Sequence, residues 1–131
     1  DKGEYKEHKK DKLEEVFRLR KQFMKNLSEA IPDALPKNID LTSKEGQKYL
    51  RDLALHGVEE MFEALQHLKN WKPHRMTEVS EFNTDLFLEE VVDAFNYFLS
   101  VLVLTGFTAD DLFQAYEDKD FVIRERIDNG Y

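Results

Sequence analysis

Two short acidic motifs, Glu60-Met61-Phe62-Glu63 and Glu90-Val91-Val92-Asp93, are where this sequence could do chemistry. In each, two carboxylates stand three residues apart, about one helical turn, so each pair shares a helix face. The second pair opens an otherwise apolar segment, Leu86 to Leu104, whose only charged residues are Glu89, Glu90 and Asp93. Ionised carboxylates taken out of water are costly unless a cation compensates them, and four on two facing helices repel one another. A divalent cation removes both problems. Oxygen-only donors favour Mg²⁺, with Mn²⁺ as the near substitute. The expected site is therefore a metal centre held by Glu60, Glu63, Glu90 and Asp93, with Glu90 and Asp93 enclosed by apolar neighbours. The bland alternative for Glu60 and Glu63 is a solvated helix face, since His56, Glu60, Glu63 and His67 form one polar stripe.

The elements that must position these acids are helical. Leu13, Val16, Phe17, Phe23, Leu27 and Ile31 give a first helix from about Asp11 to Ala30. Pro32 and Pro36 break the chain, and Thr42-Ser43-Lys44-Glu45 reads as a capping box with Thr42 as N-cap. A second helix is expected from there to about Lys69, and a third from near Thr84 to just before Gly106, placed as a C′ glycine. Thr108 caps a fourth, running to about Asp128, with Asp110 and Asp111 in its first turn. No strand-like alternation persists, so the expected fold is all-α, a four-to-five-helix bundle forming one domain over residues 1–131. Residues 1–10, where lysines and acids mix with almost nothing apolar, read as a frayed or disordered tail. The third helix is apolar nearly all round, which implies burial, partly by a second subunit in a homodimer or homotetramer.

Cationic and aromatic groups supply the complement. Lys119, Ile123 and Arg126 share one face of the last helix, and Lys and Arg suit phosphate oxygens. Ordinary i,i+4 pairing with neighbouring acids is the competing explanation. Trp71 beside Lys72 offers an aromatic plane with a cation next to it, or else a packing lid.

Composition narrows the field. The 131 residues contain no cysteine, which excludes disulfides and thiol catalysis, and the net charge of −8 argues against nucleic acid as a partner. The longest uncharged apolar run, Ala94 to Leu104, is far short of the roughly 20 residues a bilayer requires, so no membrane partner is expected. Histidine spacing does not fit the Glu-x-x-His of di-iron bundles, and no Walker loop or Gly-x-Ser-x-Gly is present.

Taken together, Glu-x-x-Glu, then Glu-x-x-Asp, then a basic C-terminal helix resembles the all-α nucleoside triphosphate pyrophosphatases, a superfamily that includes dimeric dUTPases, phage dCTPase/dUTPases and MazG proteins. Leu68-Lys69-Asn70-Trp71-Lys72 is similar to the Trp-Lys element of the dimeric dUTPase branch, and the ending from Lys119 to Gly130-Tyr131 resembles that branch's closing motif. The resemblance runs from about Leu13 to Tyr131. It implies Mg²⁺ ligation by Glu60, Glu63, Glu90 and Asp93, with Glu60 or Glu63 also taking a proton from water. It further implies phosphate contacts from Lys119 and Arg126, nucleotide contacts from Trp71, Lys72 and Tyr131, and a base contact from Gln22. Two positions depart from the pattern. Ile123 replaces an asparagine, and Asn96 stands where dUTPases often carry histidine.

The resulting expectation is an Mg²⁺-dependent dNTP diphosphatase in the cytoplasm, phage-encoded members being part of the resembled group. It would convert dUTP to dUMP and pyrophosphate, with dCTP or another nucleotide as the alternative substrate. A non-catalytic helical interaction module is the reading from a different class.

Overall fold

The structure, a computed structural model, describes residues 11–36, 39–79 and 81–130. The expected N-terminal tail and Tyr131 therefore lie outside the described residues. Four helices form: α1 (Lys12–Ala30), α2 (Lys44–Leu65), α3 (Thr84–Leu104) and α4 (Ala109–Asp128), with no strand among the described residues. None of these helices is long and apolar enough to cross a membrane. The chain divides into two compact units, one of residues 1–35 with 102–131 and one of residues 36–101.

In the first unit α1 packs on α4. Asp11 caps α1 by accepting from the backbone N–H groups of Leu13 and Glu14, and Phe17 and Met24 are its buried positions. Thr108 caps α4, as the sequence predicts, and Asp111 returns the bond to complete a reciprocal capping box. The turn before it is closed by Gly106 at φ +85°. There the Gly106 N–H donates to Val103 and the Phe107 N–H to Leu102, the two bonds of a Schellman ending.

The second unit carries α2 and α3 up to Val101. Its N-terminal cap differs from the expectation by one residue. Asp40 Oδ1 accepts from both the backbone and the hydroxyl of Thr42, so the cap passes to Ser43, whose Oγ accepts from the Gly46 N–H at 3.0 Å. A β-carbon on Gly46 would collide with the Asp40 carbonyl oxygen, so the cap requires glycine there. α2 also stops earlier than expected, at Leu65 rather than about Lys69. Gln66, His67 and Leu68 donate to the carbonyls of Glu63, Ala64 and Leu65 in tightened i→i+3 turns.

Gly57 lets α2 approach α3 closely, since a β-carbon there would lie 3.0 Å from the Tyr97 Cβ and 3.1 Å from the Phe98 ring. Ala64, Ala94, Leu99 and Ser100 are buried in this unit. The expectation of an enclosed α3 is not met in the single chain. Leu88, Val92 and Phe95, at i, i+4 and i+7, are exposed, and so are Leu55, Val58, Phe62 and Leu65 along α2. The small residues at the α2–α3 contact bring the backbones together and turn the bulky side chains outward.

Candidate metal centre and its flanking pockets

All four acids of the two motifs lie in the second unit, Glu60 and Glu63 on α2 and Glu90 and Asp93 on α3. Glu60 and Glu90 are half-buried, whereas Glu63 and Asp93 are exposed. Exposure of Asp93 corrects the expectation that apolar neighbours would enclose it. The apolar residues beside it in sequence occupy other faces of the helix, and its own face is open. Glu60 reports the electrostatics of the group. Its carboxyl is held above its ordinary pKa, first by lost hydration and then by the negative charges of Glu63, Asp93, Glu90 and Glu59. Three of those charges belong to the predicted site, so Glu60 feels acids of both motifs, on its own helix and on α3.

Each neighbouring histidine takes up a different carboxylate. His67 Nε2 lies 3.0 Å from Glu90 Oε2, and the ring meets Phe87 edge-on at 6.4 Å. His67 itself lies just past the end of α2, in the tightened turns. His56 Nδ1 contacts Glu59 Oε1 at 2.9 Å and its ring lies against Tyr97. Among the described residues, no three His, Asp or Glu side chains converge closely enough to hold a metal ion as they stand. The donor set nonetheless fits a hard divalent cation in kind, being four carboxylates whose mutual repulsion such an ion would relieve.

Beside this cluster a cavity of about 570 Å³ is lined by His67, Trp71, Val79, Phe82, Asn83 and Leu86, together with Leu68, Lys69, Asn70 and Glu81. Lys72 Nζ stands 5.6 Å from the Trp71 ring centroid, a cation–π contact. Asn83 Oδ1 accepts the Leu86 N–H at 3.0 Å at the head of α3. With its oxygen so engaged, the side-chain amide keeps its N–H donors for the cavity. In the sequence Asn83 stands just before the expected start of the third helix near Thr84. A cap-forming residue just before an apolar helix was the available signal, and it speaks to structure rather than to a ligand.

The remaining candidates are more dispersed. Asn96 is half-buried one turn beyond Asp93 on α3. Gln22, in the first unit, donates to Asn26 Oδ1 at 2.9 Å along the exposed face of α1. Lys119 is exposed on α4, and Arg126 lines a shallow pocket with Phe121, Val122, Glu125, Asn129 and Gly130. Their neighbour Arg124 pairs with Asp120 one turn back, as the plain helix-pairing alternative requires. The four motif acids therefore all lie in the second unit, while Gln22, Lys119 and Arg126 belong to the first.

Comparison with protein-family models, with curated proteins and with solved structures finds no match to this chain. The likeness to the all-α pyrophosphatases therefore rests on the motifs themselves.

Proposed function

We propose that this chain is a divalent-metal-dependent nucleoside triphosphate diphosphatase, with dUTP its favoured substrate and dCTP second. The observation that carries the reading is the raised proton affinity of Glu60, from lost hydration first and then from the charges of Glu63, Asp93 and Glu90 on the two helices. A carboxylate whose proton affinity is raised by lost hydration and by acids on two helices is commonly the mark of a site built for a cation or a proton transfer. Mg²⁺, or Mn²⁺ in its place, would be held by Glu60, Glu63, Glu90 and Asp93. When bound, it neutralises triphosphate charge and makes water more acidic.

The chain's own residues do the rest. Glu60 or Glu63 accepts the proton of the attacking water. The water oxygen bonds to phosphorus as the α–β anhydride breaks, and pyrophosphate and the nucleoside monophosphate leave. His67, 3.0 Å from Glu90, orients that carboxylate. The cavity lined by Trp71, Phe82 and Asn83 has the stacking surface and amide donors that a pyrimidine needs. Lys119, Arg126 and Tyr131 enter this reading as phosphate and nucleotide contacts, and Gln22 as a base contact, on the strength of the resemblance. The reading carries with it a cytoplasmic location and a homodimer or homotetramer.

The exposed Glu63 and Asp93, and the partner Glu90 already has in His67, favour a second reading: a non-catalytic helical interaction module. A panel of common NTPs and dNTPs with Mg²⁺, scored for monophosphate and pyrophosphate, separates the two. The diphosphatase releases pyrophosphate only with a divalent ion, and absence of release from every nucleotide would leave the module.

A further inference from the structure

The loop after α2 gathers positive charge in a chain that is otherwise strongly acidic. From Ala64 to Thr77 there is no acidic residue, while Lys69, Lys72 and Arg75 fall within it. These three residues, with Asn70 and Thr77, line a pocket of about 170 Å³, and no acid is among its described lining residues. Local geometry explains the grouping. Lys72-Pro73-His74-Arg75 is a turn in which the Arg75 N–H donates to the Lys72 carbonyl at 3.2 Å. Proline at its second position presets φ, and the turn brings Lys72 and Arg75 to the same side. Three like charges held together repel one another, and among the described residues no acid forms an ion pair with any of the three. The arrangement is relieved by an anion. Lysine point charges, a planar guanidinium and the donors of Asn70 and Thr77 suit the tetrahedral oxygens of a phosphate group.

We propose that Lys69, Lys72 and Arg75 form a phosphate-binding site, separate in its chemistry from the carboxylate cluster. Lys69 and Asn70 line both this pocket and the cavity that holds Trp71, Phe82 and Asn83. A ligand with an aromatic ring and a phosphate tail fills the two together. Assigning that ring to a nucleotide rests on the function proposed above; the affinity for phosphate does not.

The test uses the full chain in EDTA, where the acids hold no metal and attract no anion. Inorganic triphosphate is titrated by calorimetry into the wild type, into Lys72→Ala/Arg75→Ala, and into the charge-matched control Lys48→Ala/Arg51→Ala on the exposed face of α2. The site predicts saturable binding, weakened at least tenfold by the loop pair and within twofold of wild type in the control. Arg75→Lys, which keeps the charge, should retain most of the affinity. No binding to the wild type, or equal loss in the control, overturns the proposal. A dNTP added in EDTA then identifies the source of the anion. If it displaces triphosphate, the phosphate belongs to the nucleotide; if both bind together, it is a separate phosphate ligand. Failure of every nucleotide to turn over would remove the diphosphatase reading and leave these binding results intact.

Discussion

At the residue scale the molecule turns on Glu60. Its folded-state pKa lies above the ordinary glutamate value, for reasons of lost hydration and of neighbouring carboxylates. Between the unfolded and the folded pKa the native state therefore binds more protons, and stability falls as pH rises through that window. In EDTA the protein should gain stability as the solution is acidified through the folded-state pKa towards the ordinary glutamate value. Glu60→Gln, which removes the charge, should match or exceed the wild-type melting temperature at pH 7 while losing turnover. A metal-free melt at neutral pH in which Glu60→Gln is clearly less stable would show that the carboxylates do not oppose one another. Asn83 offers an independent residue-scale check. Asp can cap α3 as Asn does but presents no amide donor. Asn83→Asp should fold normally yet lower the dUTP-to-dCTP ratio of kcat/KM by roughly tenfold, about 1.4 kcal/mol of discrimination. An unchanged ratio would remove Asn83 from base recognition. The pairing of the four acids on helix faces was legible because i,i+3 spacing survives any helix. His67 and Asn83 were not, because the first acquires its partner through a turn and the second through the shape of a loop.

At the element scale, ends were easier to read than faces. Thr108 and Gly106 announced themselves because caps depend on a few adjacent residues. Ser43 displaced Thr42 only because Asp40 captures both polar groups of Thr42, a contact within the loop that capping rules do not weigh. The end of α2 was set too far along, because Leu68 continued the apolar stripe after the backbone had already tightened into turns. The cover of α3 was only partly legible, for a deeper reason. Hydrophobicity all round a helix says that it wants cover, without saying that its own chain provides it. Gly106 gives a quantitative test of the endings. No heavy atom would meet a β-carbon there, so strain at φ +85° is the whole effect. Gly106→Ala should cost about 1–2 kcal/mol in a denaturant melt and leave kcat/KM for the favoured nucleotide within twofold. A neutral result would mean that the turn relaxes to a negative φ.

At the scale of the whole molecule, the unfinished business is apolar surface in the second unit. Phe62 is 60% exposed and Leu88 61%, each within a stripe of similar neighbours at helical spacing. Scattered exposed leucines are ordinary, but contiguous stripes on two adjacent helices mark a surface that binds something. A second copy of the chain is the occupant consistent with the proposed enzyme. Helix stripes of this kind pair readily in antiparallel bundles, and a two-fold axis would let each copy cover the other's face. Sedimentation at micromolar concentration should therefore find a dimer or tetramer. Phe62→Glu combined with Leu88→Glu should shift it to monomer, since each change places a charge inside the buried patch. The loop cations lie outside both stripes, so triphosphate binding in EDTA should survive in that variant. A wild-type protein that sediments as a well-folded monomer would overturn the assembly and leave both apolar stripes without an occupant.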